Sequence, residues 1–245
     1  TVLSDGAQLL FAGIAEKHGL NENAKLYRRE TDGRMTLLNG TGLHGFYGSV
    51  GSDVFTGCGV DEAAPQIGDK LYLTDTQDTD APLIAVDVRT GEVERVTPAH
   101  GSIGECVRFG EGFAVTALRG GQGQELYAVA LDGSETQLSH FNTTLAEEYA
   151  YSKPEPLFTV NERGDTIHGF VIKPVGFTEG KRYPAVFDVH GGPKTAYGDV
   201  YFHEMQLWAS RGFAVFFCNP TGSDGKGDAF ADIRGAYGTV DFRDL

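Results

Sequence analysis

The chain is short of basic residues, of sulfur and of long apolar runs. Its 245 residues hold 20 Lys and Arg against 34 Asp and Glu, a formal charge of −14. Phosphate backbones and anionic lipid surfaces are gripped by Lys and Arg, so this deficit excludes nucleic acid and charged membrane surfaces as partners. No apolar run reaches the roughly 20 residues that a membrane-spanning helix needs. No basic stretch leads into an apolar segment after Thr1, so no signal peptide is expected. The three cysteines, Cys58, Cys106 and Cys218, are few, odd in number and far apart. They fit neither a disulfide framework nor metal-type spacing, and predict buried thiols in a reducing, cytoplasmic compartment. The seven histidines show no paired spacing, so no metal or other cofactor is expected. Hydrophobic residues make up 40% of the chain, enough to build a core and to exclude wholesale disorder.

What is present divides unevenly. Residues 151–245 hold 12 acids and 10 bases, and residues 1–150 hold 22 acids and 10 bases. The first part is acidic and Gly/Asp-rich, and it repeats. Stretches 5–38, 68–97 and 110–138 each run from a Gly/acid turn into an apolar strand, a polar loop and a second strand (24–29, 83–88, 126–131). A tight turn ending in Gly follows (Asp32-Gly33, Thr90-Gly91, Asp132-Gly133), then a third strand. Such turns between alternating apolar runs mark hairpins. Gly91 and Gly133 lie 42 residues apart, the length of one four-stranded propeller blade. The longer spacing from Gly33 to Gly91 predicts an insertion within 39–63. About 150 residues make only three to four blades of that length, fewer than most closed rings.

Residues 142–156 carry two prolines and read as a linker. Next come two alternating strands around the turn 161–165. The run 183–189, YPAVFDV, reads as a buried strand that stops at His190-Gly191-Gly192-Pro193. Residues 200–211 read as a helix with Phe202, Met205, Trp208 and Ala209 on one face, closed by Gly212. Residues 213–218, FAVFFC, form a further buried strand, and the Gly/Pro-rich 219–227 a loop. Strand, helix, strand with such loops is a parallel βαβ unit.

Residues 155–245 resemble the opening of the catalytic domain of the prolyl oligopeptidase family of serine peptidases, in its acylaminoacyl-peptidase-like and dipeptidyl-peptidase-like branch. The resemblance rests on Gly164-Asp165, Gly169-Phe170, Lys173-Pro174, Tyr183-Pro184 and the HGGP run at 190–193. It continues through 211–215 (RGFAV), Asn219-Pro220, Gly222 to Gly225, Gly227, Tyr237-Gly238, Asp241 and Asp244. Two positions depart from the family pattern. Thr221 stands where an Arg is usual, and Lys226 where an aromatic is usual. The resemblance implies a partial β-propeller followed by the N-terminal part of an α/β-hydrolase domain. Residues 1–148 would be the last blades, and 149–245 the start of the catalytic domain.

Nucleophilic hydrolysis needs Ser, His, a carboxylate and oxyanion donors. In α/β-hydrolases the Ser lies in G-x-S-x-G, ahead of the Asp and His in chain order. The runs around Ser49 and Ser102 lack the first Gly and fall among the blades, and Ser223 reads as a turn residue. The resemblance puts the whole Ser/Asp/His triad beyond Leu245, so no catalytic residue is expected within this chain. It makes the loop after the strand ending at Val189 an oxyanion-hole loop, with the Gly192 amide as donor, Gly191 shaping the turn and His190 structural. Glu147-Glu148 read as a solvated pair, and Asp75, Asp78 and Asp80 as a polar blade loop lacking the pattern of a calcium loop. Gly120, Gly121 and Gly123 read as a link between blade strands.

The resemblance implies a peptidase of short or acylated peptides, with the blades gating access and this chain inactive alone. Its partners would be peptide substrate and the rest of a parent polypeptide, and a homo-oligomer is left open. Two readings compete: a non-catalytic propeller scaffold with a degenerate hydrolase tail, and an α/β-hydrolase esterase.

Overall fold

The computed structural model describes residues 1–12, 21–55, 64–192 and 194–245. Three antiparallel sheets occupy the first part. The first is β1 (Gln8–Ala12), β2 (Lys25–Arg29) and β3 (Met35–Asn39), paired in that order. The second joins β4 (Gly45–Phe46), β5 (Gln66–Ile67), β6 (Lys70–Thr76), β7 (Leu83–Asp87) and β8 (Val93–Arg95), and the third β9 (Ser102–Phe109), β10 (Gly112–Leu118), β11 (Glu125–Val129) and β12 (Glu135–Gln137). The insertion expected within 39–63 contains β4, and its residues 56–63, with Cys58, lie outside the described residues.

The sheets stack as blades. Side chains alternate between the two faces of a strand. In β7, Ile84 and Val86 join Leu9, Leu26, Leu71 and Leu73 in one core. Leu83 and Ala85 point the other way, into a second core with Tyr72, Ile103, Phe113 and Val129. The middle sheet is therefore buried on both sides, and each fully buried Leu or Ile contributes about 1.5–3 kcal/mol of transfer free energy. The turn glycines explain the repeat. Gly91 sits at φ +76°, and a Cβ there would stand 2.7 Å from the backbone of Leu38 in the preceding blade. Gly133, at φ +83°, abuts the Val96 carbonyl in the same way. Each of these two hairpin turns presses against the blade before it and leaves no room for a side chain.

The chain then forms a short helix, α1 (Thr143–Glu148), and a fourth sheet. Its strands are β13 (Pro154–Val160), β14 (Thr166–Ile172), β15 (Ala185–Asp188) and β16 (Ala214–Cys218), with α2 (His203–Ser210) between the last two. Their spatial order is β13-β14-β16-β15, with β15 and β16 parallel and the other pairs antiparallel. Two short helices follow, α3 (Asp228–Ala231) and α4 (Val240–Asp244). Helix α2 ends in a Schellman motif. Phe213 N–H bonds the Trp208 carbonyl, Gly212 N–H bonds the Ala209 carbonyl, and Gly212 lies at φ +89°. The rings of Trp208 and Phe213 meet at 5.5 Å, the apolar contact that accompanies this cap. Met205 and Ala209 bury the helix against Phe170, Ile172, Val215 and Phe217.

Three local expectations need correction. The stretch 142–156 is not a plain linker, because it holds α1 and the start of β13. Its prolines, Pro154 and Pro156, are tolerated because β13 pairs on one side only, with β14. The apolar run 183–189 is not buried. Its strand β15 lies at the sheet edge, with Phe187 45% and Val189 46% exposed. Trp208 faces partly outward, its core contacts left to Met205 and Ala209.

The blades and the fourth sheet are closely joined. Gly51 N–H bonds the Ala196 carbonyl at 2.7 Å, and Ser52 Oγ bonds the Tyr201 carbonyl at 2.7 Å. Val50 and Leu118 pack with Ala196 and Val200. Asn23 N–H donates to the Asp228 carboxylate, and the backbone N–H of Asp228 donates to the Gly42 carbonyl.

Candidate functional site

The parallel pair β15 and β16 ends in two loops that face each other, the position where α/β sheets place ligands. The loop after β15 is Val189, His190, Gly191 and Gly192. Pro193 lies outside the described residues. The loop after β16, residues 219–227, is polar yet buried: Asn219, Thr221 and Ser223 are each 1% exposed.

Side-chain hydrogen bonds explain how polar residues can be buried here. Asn219 makes a two-way bond with Tyr197, accepting from its N–H at 2.7 Å and donating to its carbonyl at 2.9 Å. The Tyr197 hydroxyl donates to Asp188 at 3.0 Å, and its ring meets the His190 imidazole edge-on at 5.1 Å. Burial, with Asp188 beside it, pushes the Tyr197 phenol well above its usual range. His190 Nε2 lies 2.9 Å from Ser223 Oγ, and its Nδ1 lies 3.3 Å from the Gly191 carbonyl oxygen. Ser223 Oγ is also 2.7 Å from the Pro220 carbonyl. Burial lowers the His190 pKa from 6.5, against the opposing pull of the Gly191 carbonyl and Asp188, so the ring is neutral at neutral pH.

Gly192 lies at φ +128°, in the left-handed region that favours glycine. Gly191 does not, and a Cβ built on it meets nothing within 4 Å. Of the two glycines expected here, only Gly192 has a backbone that requires one.

The other sequence candidates disperse. Ser49 is exposed, and Ser102 is buried in β9 where its Oγ accepts from Val50 N–H. Glu147 and Glu148 are exposed on α1. The three blade aspartates turn to separate partners: Asp75 to His44 and Gln77, Asp78 to His168, and Asp80 to Arg95 and His100. Among the described residues no cluster of His, Cys, Asp and Glu is arranged to hold a metal ion. Gly120, Gly121 and Gly123 join β10 to β11. Cys106 and Cys218 are free, and burial pushes their thiols up to about 12 and about 11. A cavity of about 700 Å³ lies elsewhere, between α1 and α2, with Phe141, Leu145, Tyr149, Tyr151 and Tyr201 on its walls.

The two departures from the family pattern also find places. Thr221 bonds Asp244 through both its N–H and its hydroxyl. Lys226 reaches the Thr166 carbonyl and lies over the Phe230 ring at 5.1 Å.

Residues 199–245 match the prolyl oligopeptidase family. The chain is similar to members of that family. It is 35% identical over 134 residues to the uncharacterized peptidase YuxL of Bacillus subtilis, covering 54% of this chain and 20% of that protein. It is 30% identical over 188 residues to dipeptidyl-peptidase 5 of Trichophyton schoenleinii, covering 73% of this chain and 26% of that protein. The chain thus spans about a fifth to a quarter of these curated relatives. Among solved structures, it superposes on the acylaminoacyl peptidase of Pyrococcus horikoshii with a TM-score of 0.76 and 27% identity, over 98% of this chain and 35% of that one. A Mycobacterium tuberculosis puromycin-hydrolyzing peptidase shares the fold, with a TM-score of 0.65 at 20% identity, over 97% of this chain and 36% of that one. The expected propeller-like blades are present, and a four-stranded sheet with one parallel pair follows them, as in the Pyrococcus horikoshii chain.

Proposed function

We propose that this chain is part of a serine peptidase acting on short or acylated peptides, and that the loop from His190 to Gly192 forms half of its oxyanion hole. The supporting observation is the hold of His190 on the Gly191 carbonyl. In a trans peptide, the C=O and the N–H point in opposite directions. Fixing the Gly191 oxygen against His190 Nδ1 therefore turns the Gly192 N–H away from the histidine, outward from the loop. With a neutral ring, Nδ1–H donates to the Gly191 carbonyl, and the single proton of the Ser223 hydroxyl is shared between Nε2 and the Pro220 carbonyl.

In this reading a substrate carbonyl oxygen gains negative charge as the nucleophile attacks, and the Gly192 amide stabilises it. One such donor is worth roughly 10²–10³ in rate. The nucleophile, its base and the orienting carboxylate come from the parent polypeptide beyond Leu245. The blades restrict which peptides reach the loop. The free thiols Cys106 and Cys218 support a reducing, cytoplasmic setting.

A fluorophosphonate probe tests the proposal. It should label the parent polypeptide at one serine beyond Leu245 and leave the isolated 245-residue chain unlabelled. Labelling of the isolated chain would sink it, and a parent polypeptide that takes no label would favour a non-catalytic scaffold.

A further inference from the structure

We propose that Asp78, in the blade turn 77–80, is a positioning residue for the loop from His190 to Gly192. The inference rests on the reading of that loop as an oxyanion site. Its starting point is a strained backbone. Asp78 is one of two non-glycine residues at positive φ among the described residues, at +57°, a conformation that Asp and Asn tolerate better than other side chains. The turn is closed by paired hydrogen bonds between Gln77 and Asp80.

The two carboxylates of the turn face opposite ways. Asp80 anchors it to the blades, accepting from Gly101 N–H at 3.1 Å and pairing with His100 at 2.9 Å and Arg95 at 3.3 Å. Asp78 anchors it to the fourth sheet, pairing with His168 of β14 at 2.6 Å and with Lys226 at 3.8 Å. Its N–H donates to the Gly225 carbonyl at 2.9 Å. Two glycines admit the turn. A Cβ on Gly225 would stand 2.5 Å from the Asp78 nitrogen, and one on Gly198 would collide with the Thr79 carbonyl.

From Gly225 the contact passes directly to the site. Asp224 N–H bonds the Thr195 carbonyl at 2.9 Å, and its carboxylate faces Lys194 at 3.9 Å. Ser223 holds His190 at 2.9 Å. The segment 223–225 thus has the blade turn on one side and, on the other, residues that flank Gly191 and Gly192 in sequence. A shift of the turn moves the segment that locates both ends of the proposed oxyanion loop.

Three variants of the parent polypeptide test this. Asp78→Asn keeps a residue that tolerates positive φ and keeps the N–H, and it removes only the charge. Asp78→Ala removes the charge and that tolerance. Gly225→Ala leaves Asp78 intact and pushes the turn from the loop. Hydrolysis of an N-acetyl amino acid p-nitroanilide and backbone hydrogen exchange are measured together. The expected result is a kcat roughly tenfold lower in Asp78→Ala and Gly225→Ala, less than loss of a whole oxyanion donor. Asp78→Asn should fall between them and wild type, and KM should stay within about twofold, because the donor acts on the transition state. Exchange should rise in peptides covering 189–198 and 219–227 and stay unchanged in β1 to β3. Wild-type exchange at those two loops in both Asp78→Ala and Gly225→Ala overturns the inference, as does a wild-type kcat in an active enzyme. A wild-type polypeptide that hydrolyses nothing and takes no fluorophosphonate overturns the peptidase reading instead, and the exchange data then decide the role of Asp78 alone.

Discussion

Asp53 caps a helix 150 residues further along the chain. Its Oδ1 accepts from His203 N–H at 2.6 Å and its Oδ2 from Glu204 N–H at 2.8 Å. The residue at the N-cap position of α2 is Phe202, whose side chain makes no capping bond. The first turn of a helix leaves N–H groups without intrahelical partners, and here a blade side chain meets two of them.

Replacing Asp53 by Ala should cost about 0.5–2 kcal/mol, the usual range for loss of an N-cap side chain. Asp53→Asn should recover most of it, because one amide oxygen still accepts. Urea unfolding monitored by circular dichroism measures the difference, and equal midpoints for wild type and Asp53→Ala would show that the cap contributes nothing.

His190 gives the second expectation. His190→Ala in the parent polypeptide should lower kcat by about 10², with a small change in KM, if the Gly192 amide is an oxyanion donor that the imidazole orients. The His190 ring should titrate below 6.5 by NMR, as its burial dictates. An unchanged kcat would remove the histidine from the mechanism.

Glu125 gives the third. It is 2% exposed and accepts from Ser139 Oγ, Phe141 N–H, Asn142 N–H and Asn142 Nδ2. Burial pushes its carboxyl up, and these hydrogen bonds outweigh burial, so it lies below the usual 4.5. A lowered folded pKa contributes stability that is present above 4.5 and lost as pH falls through the folded value. Glu125→Gln should cost about 1–3 kcal/mol near neutral pH, because an acceptor becomes a donor in a ring of donors. Thermal unfolding compared between pH 7 and pH 3 should show the gap between variant and wild type narrowing in acid. A gap that stays constant contradicts the assignment.

The thiols give the fourth. With pKa values raised to about 12 and about 11, Cys106 and Cys218 carry almost no thiolate at pH 8. Iodoacetamide should leave both unmodified in the native protein and alkylate both in urea, as read by peptide mass spectrometry. Rapid native labelling of either would place it nearer solvent than described.

The parts of this fold that could be read in the sequence are those fixed by local backbone demands. Gly33, Gly91 and Gly133 announce their hairpins because the turns need positive φ, and Gly212 announces the end of α2 for the same reason. The HGG run marks its loop. The run 183–189 reads as buried from its composition, but composition states what a strand could bury and not which neighbours it has, and within these residues β15 pairs with β16 alone. Asp53, Asp78, Tyr197 and Asn219 went unread as partners. Asp53 and Asp78 act on residues at least 90 positions away, and no periodicity links such pairs. Asn219 stood in a recognised motif, yet its bond to Tyr197 depends on how two loops fold together.

The strand order β13-β14-β16-β15 has a consequence for synthesis. β15 leaves the ribosome before β16, and β16 is the strand it pairs with here. At about 5–20 residues per second, the stretch from Asp188 to Ala214 takes on the order of seconds to emerge. During that interval Val186 and Phe187 have no sheet to join, while β13 and β14 can already close their hairpin. The nascent chain therefore carries an unpaired apolar strand beside a formed one, and this is the moment at which a chaperone that binds extended apolar segments has most to hold.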